Sequence, residues 1–116
     1  MPINSTEVSY GFGQMGSVFS DTTGAIEPPT DKVFVAITML AETVFDAASG
    51  LVSTEPTKYI NTETAANDLA AGSETVDQGS GGQVVDTVSF PAGITIYGRW
   101  NEIDVNSGSI VAYIGD

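Results

Sequence analysis

The run Lys32-Val33-Phe34-Val35-Ala36-Ile37-Thr38-Met39-Leu40-Ala41 constrains the fold most, because it is rich in β-branched and aromatic residues and apolar on both faces. That composition suits a central or sandwich-core strand. A buried helix fits less well, since β-branched residues dominate and the double proline Pro28-Pro29 stands just upstream.

The last third of the chain reads in the same way. Val84–Phe90 is expected as a strand, Pro91-Ala92-Gly93 as a turn, Ile94–Val105 as a second strand, Asn106-Ser107-Gly108 as a tight hairpin loop and Ser109–Ile114 as a third strand. Ile94, Ile96 and Trp100 share one parity, whereas Ile103 and Val105 have the other, so a bulge near Asn101-Glu102 is expected to bring both sets to the core. Thr43-Val44-Phe45 either continues the first strand or begins another, and Ala48-Ser49-Gly50 reads as a turn before Leu51-Val52-Ser53. Between Glu55 and Gly82 the chain turns polar: residues 61–72 suit either one short helix capped at Asn61 or an extended loop, and Gly79-Ser80-Gly81-Gly82 suits a flexible tip. Short strands divided by Gly and Pro turns predict an all-β fold for residues 32–116, a single-domain β-sandwich or jelly-roll-like barrel.

Residues 1–31 differ from the rest. Tyr10, Phe12, Met15, Val18 and Phe19 carry large apolar area, while four glycines from Gly11 to Gly24 supply flexibility and no packing surface. Such a segment suits an extended N-terminal arm that orders against a neighbouring subunit or a larger shell; the alternative is an N-terminal strand packed on the domain's own core.

Composition excludes most chemistry. At 116 residues the chain is one domain by length. It has no cysteine, hence neither disulfides nor thiolate metal sites, and no histidine, the usual zinc ligand and the usual general base near neutral pH. No apolar run approaches the roughly 18 residues of a membrane span. Met1–Thr6 lacks a basic stretch and an apolar core, so no signal peptide is expected. Three basic residues (Lys32, Lys58, Arg99) against fifteen acids give a net charge of −12. Nucleic-acid affinity comes largely from basic side chains, so no nucleic-acid partner is expected, and anionic membrane surfaces are disfavoured for the same reason. The acids are scattered singly, as on a solvated surface.

Few motifs survive inspection. Gly11-Phe12-Gly13-Gln14-Met15-Gly16 matches the dinucleotide pattern only loosely, with no strand before it and no helix after. Glu102 and Asp104 form a candidate carboxylate pair, but chance produces such pairs among fifteen acids, and no apolar cleft is signalled around them. Asp104, Asn106 and Gly108 mimic the start of a calcium loop without its closing Glu, and a turn needs the same residues, so neither metal nor cofactor is expected, with Asp104 and Asn106 a weak candidate. Arg99, flanked by Tyr97 and Trp100, suits either an interface anchor together with Trp100 or a local pair with an acid such as Glu102. An enzyme is not expected.

The stretch Phe90-Pro91-Ala92-Gly93-Ile94-Thr95-Ile96-Tyr97-Gly98-Arg99-Trp100, followed by a Ser-Gly turn and Ile110-Val111-Ala112-Tyr113-Ile114-Gly115, resembles the C-terminal end of small structural proteins of tailed bacteriophages, notably marine cyanophages and their relatives. The run from Val33 to Ala41 is also similar, and together these stretches cover about half of the chain. The resemblance is one of strands and turns and carries no site residues. It implies a virion component, a capsid decoration or cement protein on the outer capsid surface whose partners are the major capsid protein and copies of itself, with a homotrimer the first expectation. The arm residues Tyr10, Phe12, Met15, Val18 and Phe19 are the expected contacts to capsid or subunit. The alternative is a tail appendage or receptor-binding domain that recognises a host surface through the Glu63–Gly82 region.

Overall fold

The computed structural model describes residues 14–47, 49–55, 58–63, 84–86 and 88–116. Among the described residues seven strands run in chain order: β1 (Ser17–Ser20), β2 (Val33–Met39), β3 (Val44–Phe45), β4 (Leu51–Ser53), β5 (Thr95–Ile103), β6 (Val105–Ser107) and β7 (Ile110–Gly115). The run singled out by its composition becomes β2, the middle strand of a five-stranded sheet ordered β1-β7-β2-β5-β4. Every neighbouring pair in that sheet is antiparallel. Thr43-Val44-Phe45 begins a new element: β3 pairs with β6 in a separate two-stranded sheet. The architecture is an all-β, β-sandwich-like single domain, the fold class the strand and turn pattern predicts.

The register sorts side chains onto two faces. One inner row is Val18, Ala112, Ile37 and Ile96, and another is Ile114, Phe34, Trp100 and Ser53. The outer rows are Phe19, Val111, Thr38 and Thr95, then Ser17, Tyr113, Ala36 and Tyr97. Phe45 and Val105 of the small sheet, with Ile26, Ile60, Val85 and Phe90 from the connections, cover the inner face. Phe90 meets Phe45 edge-on, with ring centroids 5.7 Å apart. Trp100 is fully buried, and its indole N–H donates to the Ile60 carbonyl at 2.8 Å, so the largest core side chain leaves no polar atom stranded.

The parity change along β5 is resolved by an irregularity where it was expected. Ser53 pairs with Trp100 and Val52 with Glu102, so Asn101 is skipped and Trp100 and Ile103 both reach the core. A second shift occurs farther along β5: Phe34 pairs with Trp100 but Ala36 with Tyr97.

Two expectations need correction. Val84–Phe90 is not a strand: its ends make only isolated bridges, Val84 to Asn61 and Phe90 to Thr43, and the Val88 amide donates to the Val85 carbonyl at 3.2 Å. That local bond folds the segment into a turn at Asp86 before any ladder can propagate. Nor does Asn106-Ser107-Gly108 join a hairpin, because β6 pairs with β3 whereas β7 pairs with β1 and β2. The loop is a corner between sheets. Gly108 sits there at φ +104°, and a Cβ would lie 2.4 Å from the Glu42 carbonyl oxygen, so both backbone conformation and space require glycine. Of the helix or loop expected over residues 61–72, Asn61 is fully buried in its bridge to Val84, and residues 64–72 lie outside the described residues, as does the 79–82 tip.

Parts of the segment assigned to an arm are built into the domain. Ser17–Ser20 adds a strand to the sheet through β7, and Ile26 exchanges two backbone hydrogen bonds with Ile103, at 2.8 and 3.0 Å. From Ser17 onward, therefore, the 1–31 segment contributes to the same sheet as residues 32–116.

Truncating Trp100 tests this core. Trp100→Ala should cost about 3–5 kcal/mol, read as a lower denaturant midpoint in a urea titration followed by far-UV circular dichroism. Unchanged stability would contradict its central position.

Candidate contact surface

Antiparallel strands alternate their side chains, so a sheet with one face on a core presents the other outward. Here two rows across the outer face are uncharged, while Glu102, opposite Val52 of β4, stands on the same side of the sheet beyond them. Phe19 is 58% exposed and Tyr97 60% exposed, at opposite sides of the two outer rows. Between them lie Val111, Tyr113, Ala36, Thr38 and Thr95, and the Thr38 and Thr95 hydroxyls hydrogen-bond each other at 2.8 Å. No Asp, Glu, Lys or Arg stands in either row, although the chain carries −12.

The expected contact residues separate in this setting. Phe19 faces outward on β1. Met15, 39% exposed, precedes that strand. Val18 points inward and packs against the core, so its apolar area is spent within the domain and not on a partner. Tyr10 and Phe12 lie outside the described residues. Trp100 is corrected from interface anchor to core residue, since it has no exposed surface to offer. Tyr97, Val111 and Tyr113 were not singled out as contacts; the signal for Tyr97 was its odd parity in a strand whose even positions are core.

All three basic side chains are held locally. Lys32 forms an ion pair with the Asp116 carboxylate, and Arg99 donates to the Asp116 backbone carbonyl at 2.9 Å, so these two cations converge on one residue. Arg99 thus takes a backbone carbonyl, that of Asp116, as its partner. Lys58 lies 3.7 Å from Glu55 and over the Tyr59 ring at 5.6 Å. Both members of the Lys58–Glu55 pair are exposed, so it contributes little to stability.

The catalytic and calcium candidates dissolve into a different pair. β3–β6 pairing sets Phe45 against Val105 and carries Asp46 alongside Asp104, with the Asp46 amide donating to the Asp104 carbonyl at 3.0 Å. Asp104 also accepts from the Gly24 amide at 2.9 Å. Asn106 points into solvent, and Glu102 is set opposite Val52 in the other sheet. Among the described residues no group of three or more His, Cys, Asp or Glu could hold a metal ion. Burial, the Asp104 charge and a hydrogen bond to the Asp104 side chain, in that order, raise the Asp46 carboxyl above its ordinary value of 3.8. Sequence reasoning missed Asp46 because its neighbour is 58 positions away.

Scans against models of known protein families, the curated proteins and the solved structures find no match to this chain.

The sign of the Asp46 effect is testable. A proton held more tightly in the fold contributes stability below the ordinary aspartate range, and that contribution is lost as pH rises through the elevated folded value. Asp46→Asn should therefore raise the melting temperature at neutral pH, with the gap to the wild type closing as pH falls toward 3.8. A neutral-pH melt lowered by the substitution would reverse the sign and refute this account of the pair.

Proposed function

We propose that this chain is a non-enzymatic structural protein of a tailed-bacteriophage virion, a capsid decoration or cement protein that binds the outer surface of the shell as an oligomer. One observation carries the reading: two adjacent uncharged, partly aromatic rows across a sheet face on a chain of net charge −12. Such a face can meet a protein surface without burying carboxylates, whose desolvation without partners would be costly. Aromatic groups with small neighbours supply apolar area at little rotamer entropy.

The resemblance of the C-terminal strands and of β2 to small virion proteins supports the same direction. So does the electrostatic arrangement. Lys32 and Lys58 each pair with a carboxylate and Arg99 donates to a backbone carbonyl, so the few cations of this acidic chain are engaged within it. An acidic body is repelled by packaged genome and suits the outside of the shell. The partners proposed are the major capsid protein and other copies of the chain, with no nucleic acid and no membrane.

Imaging virions that carry a labelled copy of the chain tests the reading. The expected result is label spread over the whole shell, with Phe19→Asp and Tyr97→Asp abolishing attachment while leaving the thermal melt in place. Label confined to the tail, or co-purification with the genome, would overturn it.

A further inference from the structure

The two edges of the five-stranded sheet are finished differently. At β4 the chain closes its own edge: the Leu51 amide donates to Thr62 Oγ1 at 2.8 Å, and the Leu51 carbonyl accepts from the Thr62 amide at 3.0 Å. At β1 no described strand stands on the outer side. The Gly16 carbonyl accepts from the Ile114 amide, at 2.9 Å. Bonded residues alternate in an antiparallel ladder, so Val18 and Ser20 also face β7 while the N–H and C=O groups of Ser17 and Phe19 point away from the sheet.

Exposed edges are ordinarily blunted by lysine, proline, a bulge or a covering loop. Ser17-Val18-Phe19-Ser20 contains no charge and no proline, and its register with β7 runs without a bulge. We propose that β1 pairs antiparallel with β1 of a second copy of this chain, about a two-fold axis through Val18. Ser17 then lies opposite the partner's Phe19, and Phe19 opposite the partner's Ser17, so every outward backbone group of the strand finds a bond.

A second copy fits this edge for two reasons. The register keeps parity, so Phe19 and Ser17 stay on the outer side in both chains and the sheet continues across the axis, an isologous contact. It also brings no carboxylate against another: Asp21, the acid nearest β1, falls opposite the partner's Met15. For two bodies of −12 each, that is a requirement for close approach. The pairing joins the uncharged outer rows of the two copies into one surface of double width. It is two-fold, unlike the trimer the sequence resemblance led us to expect, and it does not depend on the virion reading.

Pairing over one short strand buries less than the roughly 1,000 Å² of a durable interface, so the dimer is weak and concentration-dependent. Salt strengthens it by screening the repulsion between the two acidic bodies. Sedimentation equilibrium of the full chain over a rising concentration series, at low and high salt, tests it. We expect a shift toward twice the monomer mass that grows with salt, with slowed hydrogen exchange at the Ser17 and Phe19 amides. Phe19→Lys and Ser17→Pro should each restore the monomer; proline removes an outward N–H and no bond to β7. If Ser17→Pro unfolds, Phe19→Lys decides. A monomer at every concentration and salt, a three-copy species, dissociation by salt, or an oligomer indifferent to Phe19→Lys would overturn the proposal.

Discussion

Strand β2 is the constraint on which the domain depends. It is bonded on one side to β7 and on the other to β5, and both partners come from the last quarter of the chain. Until those segments return, its apolar residues on both faces have no cover, so a local β2 strand gains little by itself. Once they return, Phe34 is fixed between Ile114 and Trp100, and Ile37 between Ala112 and Ile96. Each is fully buried. β1 and β4 can then add to the outside of β7 and β5. The loop-closure entropy of joining residues 33–39 to 95–115 falls early in folding and is recovered only when the central three strands exist together.

The same strand order sets the chemistry of the two faces. Inner positions of β5, β2 and β7 carry Ile, Phe, Met, Trp and Ala; the two outer rows carry Thr, Tyr, Val and a flush Ala36, with Glu102 beyond them on β5. Acids are displaced to the connections and the sheet ends. From β1 to β5 the uncharged rows span three strand spacings, about 14 Å, which exceeds the screening length of about 8 Å at physiological salt. The middle of these rows lies about 7 Å from either side, within one screening length, so carboxylates beyond the rows are only partly screened there. A surface can be neutral locally on a protein that is strongly acidic as a whole.

What the sequence made legible was what short-range patterns encode. β2 was visible because its composition admits little else, and the Asn101 irregularity because hydrophobic parity changes once between Trp100 and Ile103. Features created by distant pairing stayed hidden. The turn at Asp86 depends on Val85 bonding Val88, and on Thr43 and Asn61 capturing the segment's ends, none of which the alternation of Val84–Phe90 reveals. Trp100, set between Arg99 and Asn101, reads equally as anchor or core until Phe34 and Ser53 enclose it. Asp46 and Asp104 meet only because β3 selects β6, so the sequence offers only Glu102 as a nearby carboxylate for Asp104, and a chance one.

That carboxylate pair shows how tightly charge is managed in the fold. Like charges opposed across a strand pair are ordinarily destabilising, and this pair lies where β5 passes into β6, a junction already fixed by backbone bonds from Asp46 to Asp104 and from Asp104 to Gly50. Desolvation first, and then the neighbouring Asp104 charge and a hydrogen bond to its side chain, make Asp46 keep its proton longer than an isolated aspartate does. On the outer face the two central rows carry no acid, and Glu102, on the same side, stands opposite the apolar Val52. The fold thus holds the Asp46–Asp104 pair at a junction between its two sheets and leaves the two central outer rows without an acid.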